Sequence, residues 1–208
     1  VQHNAPEWAR IQFATQHDQN GTGDAAAAGL TGLSADISSN TSAVLVMPGD
    51  TPLLTSHTIN RLIAEHTTSQ SAATVLTAVL NDPTGYGRIV RDSGGNVVGI
   101  VEHKDASPDE LNIREINTGI YLFDFELFGP ALKGIGTNNS QAEYYLTDVH
   151  QTLKGKDVKV YLRWEQMTTV GPYYSGRKLI GEFKMPESYV GGGKRKYTPG
   201  PSNRIENY

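Results

Sequence analysis

Asp50, Glu102, Asn117 and the stretch from Gln16 to Gly23 are the positions whose residue types and settings suit chemistry. Residues 43–47 are apolar on both faces, after which Pro48 and Gly49 break the run and deliver Asp50. An apolar run of that kind reads as an interior strand of a parallel sheet, and open α/β sheets bind ligands just past the carboxyl ends of such strands. A carboxylate there suits a metal ion; it suits equally the capping of the next turn. Glu102 closes the run 97–101 and leads into His103, Lys104 and Asp105, a cluster that by spacing alone reads as a solvated ion-pair turn. Asn117 lies among apolar residues in Ile116-Asn117-Thr118-Gly119-Ile120, so its amide either braces a loop or reads a ligand hydroxyl. Gly21-Thr22-Gly23, ahead of an Ala-rich stretch, permits close backbone approach and offers free N–H groups to a phosphate or a base edge. The same tripeptide also makes an ordinary glycine-rich helix entry.

Other signatures are missing. Gly191-Gly192-Gly193-Lys194 runs into Arg195 and lacks the spacing of a P-loop. There is no Gly-x-Gly-x-x-Gly after a strand, no His-Glu-x-x-His and no Gly-x-Ser-x-Gly elbow.

The elements that must position these residues alternate in type. Alternation over 11–15 predicts a short strand, and 24–33 predicts a helix. Residues 34–42 read as a surface loop and 43–47 as a strand. Ser56 is the expected N-cap of a helix over 57–67, with Ile59, Leu62, Ile63 and a half-buried His66 along its packing face. A strand over 73–80 completes a β-α-β series. Residues 88–91 and 97–101 flank Asp92-Ser93-Gly94-Gly95-Asn96, which has hairpin-turn chemistry. An acidic loop at 105–112, a strand over 116–123, a helix over 141–154 and a strand over 158–162 follow. The expected boundary lies near 170: residues 1–170 form one domain, and 171–208 form a Gly/Pro-rich basic tail without periodicity.

With 208 residues the chain can bury a substantial core, and no apolar segment reaches the roughly 20 residues that span a bilayer. The absence of cysteine excludes a disulfide framework, a thiolate nucleophile and a zinc–cysteine site, and makes the cytoplasm the expected compartment. The sequons at Asn20, Asn40 and Asn138 are read as chance, since no secretory signal precedes them. Residues 1–170 hold 11 basic against 19 acidic side chains, which argues against a nucleic-acid partner. The first residue is not Met, which suggests a start inside a longer reading frame.

Six motifs occur in one order: Gln-x4-Gly-Thr-Gly from Gln16, Gly-Asp-x-Pro-Leu from Gly49, Asp-Pro-Thr-Gly-Tyr-Gly-Arg-Ile from Asp82, Ile-Val-Glu-His-Lys-Asp from Ile100, Glu-Ile-Asn-Thr-Gly-Ile from Glu115 and Glu-Tyr-Tyr-Leu-Thr-Asp from Glu143. Together they resemble the uridyltransferase domain of the bacterial bifunctional N-acetylglucosamine-1-phosphate uridyltransferase/glucosamine-1-phosphate acetyltransferases, over residues 11–162. The resemblance implies a doubly wound, mostly parallel, Rossmann-like α/β sheet whose first βα units, with their Gly-rich loop of Arg and Lys, are missing from these residues. It implies a reaction of UTP with N-acetylglucosamine 1-phosphate to give UDP-N-acetylglucosamine and pyrophosphate, for cell-wall precursor synthesis. Gln16, Gly21 and Thr22 would then contact uracil; Gly49 and Asp50 would form the metal and nucleotide motif, with Asp50 the catalytic Mg²⁺ ligand. Gly87, Glu102 and Asn117 would surround the sugar.

Departures from the family pattern are Tyr173 where a second metal-ligating Asn is expected, Pro48 for a frequent Tyr and Asp24 for a frequent His. The family trimerises through a β-helix domain that these residues do not contain. Neither a membrane nor a nucleic acid is an expected partner. The alternatives are a non-catalytic nucleotide-sugar-binding or assembly fragment, and another sugar nucleotidyltransferase or metal-dependent glycosyltransferase.

Overall fold

The computed structural model describes residues 11–33, 43–51 and 54–153, and the backbone of 158–165. The loop expected at 34–42, Tyr173 and the expected tail lie outside the described residues. The elements are α1 (Thr22–Leu33), β1 (Ala43–Val46), α2 (Ser56–Ser69), β2 (Ala73–Val79), β3 (Arg88–Arg91), β4 (Val97–Val101), α3 (Pro108–Leu111), β5 (Glu115–Asp124), α4 (Phe125–Lys133), a 3₁₀ turn (Leu146–Asp148), α5 (Val149–Thr152) and β6 (Val158–Glu165).

One mixed sheet has the order β4-β3-β5-β2-β6, with β1 also paired to β5. β5 is long enough to serve two neighbours along one edge. Its first half meets β3 at Ile116, and its second half meets β1 from Tyr121 to Asp124. Strands β1, β2 and β3 all run antiparallel to β5, and β6 runs parallel to β2. Strands β1, β2, β3 and β6 therefore share one direction, as a doubly wound sheet requires. Of the hydrogen-bonded pairs described, however, only β2 with β6 is parallel, because β5 runs against β1, β2 and β3, and β3 with β4 is a hairpin. This corrects the reading of β1: its neighbour is antiparallel and its residues are half-buried. The apolar pattern of the strand records burial on two faces, and burial does not encode direction.

Helices cover both faces of the sheet. Tyr121 and Phe123 point to one side with Val75, Ile89 and Ile100, and pack against Phe128, Leu132 and Val149. Ile120 and Leu122 point to the other side, where they meet Leu76 and Leu62 of α2. That is the period of two expected of a strand buried on both faces. The rings of Tyr121, Phe123 and Phe128 stack at centroid distances of 5.3 and 4.3 Å. Leu62 is 0% exposed, so its burial contributes about 1.5–3 kcal/mol.

Local chemistry sets the element ends. Thr55 caps α2, its Oγ1 accepting from the Thr58 N–H at 3.2 Å, one residue before the expected Ser56. His66 packs as expected but is buried rather than half-buried, with Nδ1 2.8 Å from Thr74 Oγ1. The Asp92 carboxylate accepts from the N–H groups of Gly94 and Asn96, closing the β3–β4 hairpin. Within the acidic loop expected at 105–112, Ser107 and Glu110 form a capping box around α3.

Two further expectations fail, and one element has no counterpart in the sequence reading. Residues 11–15 form no strand. The helix expected over 141–154 shrinks to the 3₁₀ turn and α5, because Asn139 Oδ1 accepts from the N–H groups of Gln141 and Glu143 and Ala142 adopts φ +53°. Such side-chain bonds compete with a helical ladder. Finally, α4 went unread because Gly129 and Pro130 sit within it; the Asp124 cap and the burial of Phe128 and Leu132 outweigh that propensity.

Candidate active site

Gly87, Glu102 and Asn117 come from three different strand ends and converge. The Asn117 N–H donates to the Gly87 carbonyl at 2.9 Å, continuing the β3–β5 pairing past Arg88. A Cβ placed on Gly87 would lie 3.3 Å from Glu102 Oε2 and 3.5 Å from Asn117 Cβ. Glu102 is oriented from its other side by the Thr147 hydroxyl, which donates to Oε1 at 3.2 Å. Burial pushes the Glu102 carboxyl above its ordinary range, and the charges of Asp148 and Asp105 add to this against the Thr147 hydrogen bond. The Tyr121 hydroxyl is buried near Asn117 and Glu102, and burial drives its pKa far up. Asn117 Oδ1 accepts from the Gly119 N–H at 3.0 Å, so the asparagine braces its own strand.

Gln16, Gly21 and Thr22 form a second group. Gln16 Nε2 donates to the Gly21 carbonyl at 3.1 Å and to Asp24 Oδ2 at 2.8 Å, which folds the loop back onto the first turn of α1. Gly21 has φ +106°, and a Cβ there would stand 2.6 Å from the Tyr144 carbonyl. Both facts demand glycine. The loop then runs beside residues 144–146. Tyr144 N–H donates to Asn20, Gly23 N–H donates to Tyr144, each at 2.7 Å, and Leu146 N–H donates to Thr22 Oγ1 at 3.0 Å.

Residues 144–147 therefore join the two groups: Leu146 holds Thr22, and Thr147 holds Glu102. The motif from Glu143 to Asp148 contains them, and the signal for their role is the polar Thr147-Asp148 pair between apolar Leu146 and Val149. Glu102 and Thr147 also form one wall of a cleft of about 340 Å³ that reaches Asp105, Ile135, Asn139 and Tyr145.

Asp50 sits in the turn that leaves β1. Thr51 Oγ1 donates to the Pro48 carbonyl at 3.1 Å. Gly119, at φ +77°, lets Pro48 lean against β5, with Pro48 Cγ 3.0 Å from where a Cβ would be. Asp50 and Gly49 are exposed. Burial raises the Tyr86 phenol, and the Asp50 charge raises it further. Among the described residues, no group of three or more His, Asp or Glu gathers to cage a metal. A single exposed carboxylate suits a hard divalent cation that keeps most of its waters. Thus Asp50, Gly87, Glu102 and Asn117 lie along the ends of β1, β3, β4 and β5, while Gln16, Gly21 and Thr22 reach them only through residues 144–147.

A sheet layered by helices on both faces, with polar side chains gathered at its strand ends, defines a doubly wound, Rossmann-like α/β protein. The chain belongs to the nucleotidyl transferase family, whose model matches residues 2–168. It is 52% identical over 140 residues to the bifunctional protein GlmU of Exiguobacterium sp. AT1b, covering 67% of this chain and 30% of that protein. The GlmU proteins of Lactobacillus delbrueckii subsp. bulgaricus and Halalkalibacterium halodurans are 49% and 50% identical over 154 and 151 residues, each match covering 73% of this chain and 32% of the relative. The chain thus spans about a third of the length of the curated relatives it matches. Among solved structures, a Bacillus anthracis protein provisionally described as a glucose-1-phosphate thymidylyltransferase aligns with TM-score 0.46 at 23% identity, over 62% of this chain and 48% of that one. No helix among the described residues is long and apolar enough to cross a membrane.

Proposed function

We propose that this chain carries uridyl transfer from UTP to N-acetylglucosamine 1-phosphate, forming UDP-N-acetylglucosamine for cell-wall precursors in the cytoplasm. The observation that carries the reading is the bridge of residues 144–147, which ties a loop suited to a base edge to a carboxylate–amide pair suited to a sugar. In the reaction, an oxygen of the sugar phosphate attacks the α-phosphorus in line. The bond from that phosphorus to the oxygen bridging to the β-phosphate breaks, and pyrophosphate leaves. No side chain is needed as a base, because the attacking oxygen is already ionised near neutral pH; positioning and charge neutralisation do the work.

On this reading Glu102, buttressed by Thr147, accepts a hydrogen bond from a sugar hydroxyl. Asn117 offers its amide nitrogen beside it, and Gly87 leaves room for the ring. Gln16 spends its amide nitrogen on the loop, which turns the free Oε1 toward a donor such as the uracil N3–H. Thr22 and the Gly21 backbone complete that contact. Asp50 holds Mg²⁺, which when bound neutralises phosphate charge.

Calorimetric titration of UDP-N-acetylglucosamine, with and without Mg²⁺, tests the reading on the wild type and Asp50→Ala. The wild type is expected to bind in a Mg²⁺-dependent way, and the variant to lose that dependence. A Mg²⁺ effect of equal size in Asp50→Ala removes the metal assignment; a wild type that binds UDP and UDP-N-acetylglucosamine equally removes the sugar subsite.

A further inference from the structure

Arg88 carries a buried charge that the functional reading leaves unused. Its side chain is 1% exposed, the largest of the fully buried ones. It opens β3, where its backbone pairs with Val101 of β4 and Ile116 of β5. A guanidinium is costly to bury unless it is hydrogen-bonded and paired. Among the described residues no carboxylate forms an ion pair with it, and Asp82 acts on it only from a distance. Its donors go elsewhere: Nη1 to the Tyr86 carbonyl and Nη2 to His103 Nδ1 at 3.3 Å, with Nε left unmatched. Because a guanidinium only donates, Nδ1 of His103 must be the unprotonated ring nitrogen.

The positions of the two acceptors explain why an arginine stands here. Tyr86 immediately precedes Gly87, and His103 immediately follows Glu102. A Cβ on Gly87 would stand 3.3 Å from Glu102 Oε2, so the two strand ends approach closely there. The fork therefore grips the chain on both sides of that approach. An apolar side chain would fill the same volume without gripping either strand end. A lysine would keep the charge but not the planar two-pronged geometry.

We propose that Arg88 is a positioning residue for the sugar subsite, setting the distance between Gly87 and Glu102 by holding the Tyr86 carbonyl and the His103 ring. It rests on the reading of Glu102 and Asn117 as sugar contacts. Arg88 touches no substrate itself; it acts through the two strand ends.

The test is titration of the purified protein with UDP and with UDP-N-acetylglucosamine, for wild type, Arg88→Lys and His103→Ala, with thermal melting as a check on folding. Arg88→Lys is expected to weaken UDP-N-acetylglucosamine about tenfold, the equivalent of one charged hydrogen bond, while UDP binding stays near wild type. His103→Ala, which removes one acceptor at a half-buried position, shifts the same ratio in the same direction by a smaller factor. A folded Arg88→Lys with the wild-type ratio overturns the proposal, as does an equal loss for both ligands. If Arg88→Lys does not fold, His103→Ala decides alone: a wild-type ratio there overturns the proposal. A wild type that does not prefer the sugar nucleotide over UDP is a different outcome; it refutes the sugar reading itself.

Discussion

The bond from the Leu146 N–H to Thr22 Oγ1 is the most economical place to test how the two halves of the site are joined. Thr22→Val keeps the shape of the side chain and removes the hydroxyl that accepts this bond. Leu146 is 5% exposed, so its N–H, 3.0 Å from the hydroxyl in the wild type, loses its partner in a largely dry setting. An unsatisfied buried N–H costs about 1–3 kcal/mol. Thr22 itself is exposed, and water reaching that side of the bond holds the cost near the lower end, about 1 kcal/mol. For a protein of this size that lowers Tm by about 2–4 °C. Thr22→Ser keeps the hydroxyl and is the control. Calorimetric melting of the three proteins gives the answer, with urea unfolding to verify that the m-value is constant. If Thr22→Val melts with the wild type and Thr22→Ser, the Thr22–Leu146 bond holds nothing together, and the joint between the base loop and residues 144–147 rests on the backbone bonds of Tyr144 to Asn20 and Gly23 alone.

Two pH experiments follow from buried titratable groups. Glu102 has a raised folded-state pKa, so the stability it contributes is whole below its ordinary 4.5 and lost as pH rises through the folded value. Glu102→Gln, which cannot ionise, should therefore gain on the wild type in urea unfolding as pH rises from about 4 to 8; a constant difference across that range would contradict the burial and the Asp148 repulsion. Burial lowers the His66 pKa from 6.5 against the pull of Asp124, so stability is whole above 6.5 and falls as pH drops through the folded value. His66→Gln should flatten that acid limb, and an unchanged limb would assign it to other groups.

Much of the fold is legible in the residues because burial leaves a period. Ile120 and Leu122 against Tyr121 and Phe123 announce a strand covered on both faces, and the Asp92-to-Asn96 turn announces its hairpin. His66 on the packing face of α2 is legible for the same reason. Strand direction leaves no such trace, so nothing in residues 43–47 tells that β1 pairs antiparallel with a strand far along the chain. Residues 141–145 mislead because Asn139 diverts their N–H groups, a competition that helical spacing does not register. In the site, Glu102 and Asn117 stand out by type and setting. The Thr147 hydroxyl that orients Glu102 and the Arg88 fork beneath it do not, since each acts across 15 or more residues of chain.

The double pairing of β5 also governs the order in which the sheet can assemble. The β3–β4 hairpin needs only neighbouring residues, whereas β1 meets its partner about eighty residues downstream. On a ribosome, β1 emerges long before β5 exists and must wait with an apolar edge unmatched. Contacts of such sequence separation slow folding and lengthen the time during which that edge is open to other chains. β5 is thus the keystone in time as well as in space: until its residues 117–121 are made, neither the exit turn that carries Asp50 nor the approach of Gly87 to Asn117 has anything to form against.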